Sequence, residues 1–218
     1  MKLPVRTMAW VSFFAITFGL VEAVVVVYLR ALYYPEGFVF PLKMISQSHL
    51  MAELAREFAT IVMLISVGAI AGISRWQKFS YFMIAFGVWD IVYYIWLKVF
   101  LDWPLSLTDW DILFLIPIPW IGPVIAPIVI SILMIIAGWA IIRREEGGNS
   151  FSPPSSSWVL GGIGTAVVLF TFLRDTGATL KGGVPEPFWY WLFGIGAMFY
   201  AGALYVALQK SGGRKGDS

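Results

Sequence analysis

Residues 46–72 read SQSHLMAELAREFATIVMLISVGAIAG and join a polar stretch to an apolar one without a break. On a helix, His49, Glu53 and Glu57 recur every four residues and therefore lie on one face. Residues 61–72 carry no charged side chain and suit the interior of a bilayer. The polar face must therefore enter the membrane together with its helix.

The composition of the chain places it in a membrane. Of its 218 residues, 59% are hydrophobic and 13% are charged, which is about half the charged fraction of an average soluble domain. The apolar runs are long enough to cross roughly 30 Å of hydrocarbon and do not alternate in polarity, so we expect helices rather than barrel strands. The sequence therefore predicts an all-α, polytopic integral membrane protein.

The apolar runs predict six transmembrane helices, at residues 8–30, 49–74, 79–101, 110–142, 157–174 and 187–209. The basic residues then set the orientation. Nine of the fifteen fall on the side that holds both termini, namely Lys2, Arg6, Arg75, Lys78, Arg143, Arg144, Lys210, Arg214 and Lys215. By the positive-inside rule this side is cytoplasmic. We therefore expect a multi-pass protein of the cytoplasmic (inner) membrane with both termini inside the cell.

A polar stretch rich in glycine and proline divides the chain. Residues 143–156 read RREEGGNSFSPPSS, and we expect them to form a flexible cytoplasmic linker. The linker separates a four-helix transmembrane unit at residues 1–142 from a terminal helix pair at residues 157–209, within one domain overall. We expect residues 210–218 to form a disordered tail.

The fourth predicted span has an unusual proline content. Pro117, Pro119, Pro123 and Pro127 all fall in its outer half, and each proline removes a backbone donor and clashes with the preceding turn. We therefore expect helix 4 to be broken by prolines. Asp111 would lie in its first turn, where the helix dipole favours a negative charge.

Ionisable side chains gather at one depth in the outer half of the predicted bundle. Counting about 1.5 Å per residue from the helix ends, Glu22 and Glu57 lie at the same level and Asp90 lies about one turn deeper. Arg30 can extend outward to the surface, so only Arg56 shares the level of the acids. The acids therefore outnumber the bases at depth, and the surplus must be protonated, bind a cation or pair with a partner chain.

This arrangement predicts an acidic, outward-opening intramembrane site for a cation or a metal. Carboxylates with one imidazole suit a divalent ion, and the candidate metal ligands are His49, Glu53, Glu57, Glu22 and Asp90. Of these, Glu57, Glu22 and Asp90 are the candidate catalytic or proton-carrying residues. A bound metal would allow a membrane enzyme that acts on a lipid-soluble substrate, whereas protons or ions alone would indicate an ion- or proton-coupled transporter.

A purely structural network is the other explanation for these polar groups. It would pair Glu57 or Glu53 with Arg56, Glu22 with Arg30 and Asp90 with Tyr94 or Trp89, and so lock helices 1 to 3 together. The polar groups would then stabilise the bundle without binding a ligand.

A second functional hypothesis is a haem-free quinone-binding or anchoring subunit of a larger respiratory-type complex. The chain has no cysteine and one histidine, which excludes iron–sulfur ligation and an internal bis-histidine haem. The candidate quinone-binding residues are Arg56, Tyr94 and Trp120. The loops are short, so we expect no soluble domain on either face of the membrane. The expected partners are the lipid bilayer and either other membrane subunits or a second copy of this chain; we expect no nucleic acid.

Overall fold

The computed structural model of the protein describes residues 3–148 and 150–210. The elements in chain order are α1 (Leu3–Tyr33), α2 (Gln47–Ala71), α3 (Arg75–Leu101), β1 (Trp110–Phe114), β2 (Trp120–Pro123), α4 (Ile125–Glu146), α5 (Ser155–Leu173), α6 (Thr176–Thr179) and α7 (Tyr190–Lys210). Residues 211–218, which make up most of the predicted tail, lie outside the described residues.

Six helices of the described chain are long and apolar enough to cross a membrane, by length and by composition: α1, α2, α3, α4, α5 and α7. Large apolar side chains such as Trp10, Ile70 and Met198 are exposed on their surfaces. Exposed apolar surface on this scale suits contact with lipid rather than with water. The prediction of a six-helix, multi-pass membrane architecture is confirmed.

α3 is the central helix of the bundle and packs against α1, α2 and α4. Glycines allow its close contact with α4. A Cβ atom on Gly87 would lie 2.5 Å from the carbonyl oxygen of Ser131, and one on Gly138 would lie 2.6 Å from the carbonyl oxygen of Ser80. The two helices therefore touch backbone to backbone, as small residues permit in membrane helices.

α5 packs mainly against α7, and this pair contacts the rest of the bundle through α4 and β2. The segment before α5 is anchored by Phe151, which is buried and whose ring centre lies 5.0 Å from that of Trp76. The division into a four-helix unit, a flexible linker and a terminal helix pair stays a prediction.

The proline-rich stretch before α4 forms a β-hairpin. β1 and β2 pair in antiparallel fashion, with Trp110 opposite Pro123 and Ile112 opposite Ile121. Proline cannot continue the hydrogen-bond ladder of a helix, whereas turns and the edges of strands accept it. The prediction of a helix from residue 110 onward is therefore wrong, because α4 begins only at Ile125 and then continues unbroken.

The hairpin shares one end of the bundle with two neighbouring loops. The ring centres of Phe38 and Trp103, from the loops after α1 and α3, lie 6.1 Å apart. The Thr176 hydroxyl at the start of α6 donates a hydrogen bond to the carbonyl oxygen of Pro119 in the hairpin, over 2.6 Å. We call this end of the bundle the hairpin end.

Candidate functional site

Two features of the sequence determine the polar face of α2: the residue that caps the start of the helix, and the spacing of the polar residues along it. The Ser46 hydroxyl accepts a hydrogen bond from the backbone N–H of His49 over 3.3 Å and thereby caps the helix. From that start, Glu53, Glu57 and Thr60 fall on one face, and all three are buried. This part of the predicted polar stripe therefore faces the interior of the bundle.

A cavity of about 460 Å³ opens at the hairpin end between α1, α2, α3 and the hairpin. Its walls combine acidic groups, guanidinium groups and aromatic rings. The ionisable side chains among its lining residues, tyrosines aside, are Glu22, Arg30, Lys43, Glu53, Arg56, Glu57, Asp90 and Asp111. The aromatic lining residues are Tyr33, Tyr34, Phe38, Trp89, Tyr93, Tyr94 and Phe114. The volume falls in the range of small-molecule sites, which is roughly 300–1,000 Å³.

Three buried carboxylates of the cavity lie at the same depth in the bundle. Glu22 and Asp90 each lie eleven residues from the hairpin-end terminus of their helix, and Glu57 lies ten residues from its own. At about 1.5 Å per residue this places all three about 15–17 Å below that end. Asp90 is level with the other two, rather than one turn deeper as expected, because α1 and α2 extend beyond their predicted ends.

Arg56 joins α1 and α2 at this level. Its guanidinium forms an ion pair with Glu22 of α1 and another with Glu53 of its own helix, where Nη2 and Oε2 are 2.6 Å apart. The Thr60 hydroxyl donates a hydrogen bond to Glu22 over 3.1 Å. The expected pairing of Arg56 with Glu53 is confirmed, but Glu22 pairs with Arg56 and not with Arg30.

Glu57 connects α2 to the hairpin. Both of its carboxylate oxygens accept a hydrogen bond from the backbone N–H of Leu115, over 2.8 and 3.1 Å. Across residues 3–148 and 150–210, no basic group lies within 4.0 Å of this carboxylate. The sequence leaves open whether Arg56 pairs with Glu57 or with Glu53; in the structure it pairs with Glu53, and Glu57 has a backbone donor instead.

Asp90 connects α3 to α4. Its carboxylate accepts a hydrogen bond from the Ser131 hydroxyl over 2.8 Å, and the residue is 8% exposed. The close approach at Gly87, one turn away on α3, is what brings Ser131 within reach. In the described part of the chain this carboxylate also has no basic group within ion-pair distance.

Arg30 is buried against the hairpin. Its Nη2 lies 3.1 Å from Oδ1 of Asp111, and its guanidinium stacks 3.7 Å from the ring centre of Trp103 and 4.6 Å from that of Phe38. Burial raises the pKa of Asp111 to about 6, although the positive charge of Arg30 acts in the opposite direction. The expectations that Arg30 extends outward and that Asp111 occupies a helical first turn are wrong, because the hairpin brings Asp111 onto Arg30.

Of the other predicted site residues, Tyr94 lines the cavity, whereas His49 and Trp120 do not. His49 is exposed and lies outside the cavity lining, with its Nδ1 atom 2.6 Å from the Tyr33 hydroxyl. Tyr94 lines the cavity, whereas the Trp120 ring stacks on Phe172 with 6.3 Å between ring centres. Among the described residues, no group of three or more His, Asp or Glu side chains is placed to hold a metal ion.

Sequence reasoning missed Asp111, Ser131 and the backbone N–H of Leu115 as parts of this site. A signal for the hairpin exists in residues 110–123, WDILFLIPIPWIGP, where two short apolar runs flank closely spaced prolines. That pattern is more typical of a strand–turn–strand unit than of a helix. No comparable signal marks Ser131, which is a single hydroxyl in an apolar helix.

The cavity contains more acidic than basic groups. Its five buried carboxylates share the space with the guanidinium groups of Arg30 and Arg56, while Lys43 is exposed. Such a site can bind a cation, or it can hold protons and exchange them. Comparison of the chain with protein-family models, with curated proteins and with solved structures found no match.

Proposed function

We propose that this chain is an integral membrane protein that binds a cation in the hairpin-end cavity and exchanges protons with it, as an ion- or proton-coupled transporter does. The observation that carries the proposal is the charge imbalance of the cavity, in which five buried carboxylates meet two guanidinium groups. On insertion scales, an unpaired charge at the centre of a membrane helix costs roughly 2.5–3.5 kcal/mol. A bound cation or a proton offsets that cost.

Two carboxylates are the best candidates for the binding groups. The hydrogen-bond donors to Glu57 and Asp90 within the described chain are neutral, namely the backbone N–H groups of the hairpin for Glu57 and a serine hydroxyl for Asp90. Glu22 shares the single guanidinium of Arg56 with Glu53, so it is partly neutralised. We therefore assign cation and proton binding to Glu57 and Asp90, with Glu22 as their neighbour at the same depth.

We also propose that the hairpin end faces the outside of the cell and that the membrane is the cytoplasmic one. Nine of the fifteen basic residues fall in the termini and in the two loops at the opposite end of the predicted bundle. The positive-inside rule makes that opposite end cytoplasmic. The cavity then opens outward and receives its ligand from outside the cell.

Two other hypotheses, a membrane enzyme with a bound metal and a quinone-binding subunit, have less support. The proposed metal ligands include His49, which lies outside the cavity lining, and no group of three ligands is assembled among the described residues. The quinone set includes Trp120, whose ring packs on Phe172 and is not among the lining residues. The cation version needs only groups that do line the cavity.

The proposal can be tested with purified protein in liposomes that contain a pH indicator. We expect external Na⁺, K⁺ or tetramethylammonium to raise the internal pH of vesicles that hold the wild-type protein, because carrying the cation inward in exchange for protons moves protons out of the vesicle. Asp90→Asn and Glu57→Gln should each reduce the initial rate at least tenfold. Asp102→Asn is the matched control, because this carboxylate is exposed and pairs with Lys98 at the surface.

Infrared spectroscopy of the same samples supplies a second readout. Protonated buried carboxyls give a resolved C=O stretching band, and we expect the wild-type band to lose intensity when the cation is added. In Asp90→Asn and Glu57→Gln the band should be smaller from the start. The proposal would be refuted if none of the three cations changed the internal pH or the carboxyl band in protein that elutes as a folded species.

A further inference from the structure

We infer that the ligand of this cavity is an amphiphilic organic cation, with a charged headgroup that enters among the buried carboxylates and an apolar body that stays at the mouth. This inference rests on the proposed cation site and names the class of its ligand. Three properties of the cavity carry it, namely its size, the charge and aromatic character of its interior, and the apolar character of its rim.

The cavity is too large for an inorganic ion alone. Its volume is about 460 Å³, whereas a water molecule in the liquid occupies roughly 30 Å³. A bare monovalent or divalent ion would leave most of that space to water, and among the described residues no three His, Asp or Glu side chains are grouped so that they could hold a metal ion. An organic molecule of moderate size fills the space better.

The interior selects for positive charge. Arg30 is paired with Asp111, and Arg56 with Glu22 and Glu53, so the charge of each guanidinium is already matched by a carboxylate of the protein, although Nη1 of Arg30 has no hydrogen-bond partner among the described residues. Asp90 is 8% exposed, lines the cavity and has no basic partner in the described chain, and Glu57 lines the same cavity with a backbone donor as its partner. A ligand that brings a positive charge compensates these two groups.

Aromatic rings next to these carboxylates suit an alkylammonium group in particular. Trp89, Tyr93 and Phe114 all line the cavity, with 6.4 Å between the ring centres of Trp89 and Tyr93 and 6.4 Å between those of Trp89 and Phe114. Cations are attracted to the faces of such rings, and quaternary ammonium groups are commonly recognised in this way. The site therefore does not require a headgroup that donates hydrogen bonds.

The exposed lining residues of the cavity are mostly apolar, in contrast to its interior, with Lys43 as the one exposed charged residue among the described lining residues. Met44, Ile118 and Leu180 belong to its lining, and they are 89%, 46% and 56% exposed. These three side chains come from three separate segments, the loop after α1, the hairpin turn and the segment after α6. Exposed apolar groups around an acidic interior match a molecule that is charged at one end and apolar at the other.

The inference can be tested with three probes of matched shape. Benzyltrimethylammonium carries both a charge and an apolar body, neopentylbenzene has the same shape without the charge, and tetramethylammonium has the charge without the body. Binding to the wild-type protein in lipid nanodiscs is followed by tryptophan fluorescence and by calorimetry. We expect benzyltrimethylammonium to bind at least tenfold more tightly than either of the other two probes.

Variants then locate the two ends of the ligand. Asp90→Asn and Glu57→Gln should weaken benzyltrimethylammonium and tetramethylammonium alike, by at least tenfold. Ile118→Ser and Leu180→Ser should weaken only benzyltrimethylammonium. Leu105→Ser is the matched control for the rim, because Leu105 is 79% exposed and is not a lining residue of the cavity. Each variant is compared with the wild type by gel filtration and by its unfolding temperature, so that a folding defect is recognised.

The outcomes separate this inference from the proposed function. If tetramethylammonium binds as tightly as benzyltrimethylammonium and both depend on Asp90, the cation site stands and the amphiphilic ligand is refuted. If neopentylbenzene binds as tightly as benzyltrimethylammonium, charge has no role in binding and the inference fails. If no probe binds while Na⁺ or K⁺ still changes the internal pH of the vesicles, the amphiphilic ligand is refuted and the cation site stands; if no cation has an effect either, both proposals fail. If the rim variants bind benzyltrimethylammonium like the wild type, the apolar body does not lie at the mouth and the inference fails.

Discussion

The contact of α3 with α4 at Gly87 provides the sharpest test of how this site is positioned. In Gly87→Ala the new Cβ atom would lie 2.5 Å from the carbonyl oxygen of Ser131 and 2.8 Å from Cγ1 of Ile135, whereas ordinary contacts begin at 3.4 Å. The helices must therefore separate by about 0.9 Å, and overpacking of this kind costs about 1–3 kcal/mol. The hydrogen bond from Ser131 to Asp90, now 2.8 Å, would lengthen beyond 3.5 Å and add a loss of about 1 kcal/mol.

We expect Gly87→Ala to lower the free energy of unfolding by about 2–4 kcal/mol, measured by denaturant titration in mixed micelles. Gly162→Ala is the matched control, because Gly162 is an exposed helical glycine and a Cβ atom added to it would meet nothing within 4 Å. Alanine is the better helix former, so this variant should be neutral or more stable by up to about 1 kcal/mol. If Gly87→Ala were as stable as Gly162→Ala, α4 would not be held by backbone contact at Gly87 and the positioning of Ser131 would need another cause.

Four further variants test three other contacts of the hairpin. Glu57→Ala should lower the free energy of unfolding by about 1–3 kcal/mol, because it leaves the Leu115 N–H without an acceptor. Glu57→Gln keeps an acceptor oxygen and should lower the free energy of unfolding by less than about 1 kcal/mol. Equal losses in the two variants would show that this hydrogen bond does not stabilise the protein. Burial raises the pKa of Asp111 from 3.8 to about 6, so its contribution to stability is fully present below pH 4 and is lost as the pH rises through 6. Between pH 4 and 7 the wild type should therefore lose roughly 3 kcal/mol relative to Asp111→Asn, and parallel pH profiles would contradict this. Thr176→Val removes the buried hydroxyl bound to the Pro119 carbonyl, and we expect a loss of about 1 kcal/mol in the same titration, with no change counting against the contact.

The sequence predicts the helices of this protein well because their signal is local. Long apolar runs fix five of the six spans, and the spacing of Glu53 and Glu57 places both on the buried face of α2. The shared depth of Glu22 and Glu57 also follows from counting residues along two helices. Each of these inferences uses only neighbouring residues and the geometry of one helix.

The partners of the charged groups could not be predicted because they depend on distant residues. Arg30 and Asp111 are 81 positions apart, and their contact requires the hairpin that replaces the first part of the expected fourth helix. Asp90 and Ser131 are 41 positions apart, and their contact requires the backbone approach at Gly87. Counting residues along one helix predicts how deep a charged group lies in the membrane. It does not predict which distant residue will be the partner of that group.

The ion pair between Glu22 and Arg56 has a consequence for the biogenesis of the protein. α1 leaves the ribosome with Glu22 eleven residues from its end and with no base at that depth, at a cost of roughly 2.5–3.5 kcal/mol on insertion scales if the acid is charged. Arg56 arrives only with α2, so the two helices neutralise each other when they enter the bilayer as a pair. We therefore expect co-translational integration in which α1 and α2 move from the translocon into lipid together, before the central helix α3 enters the bilayer.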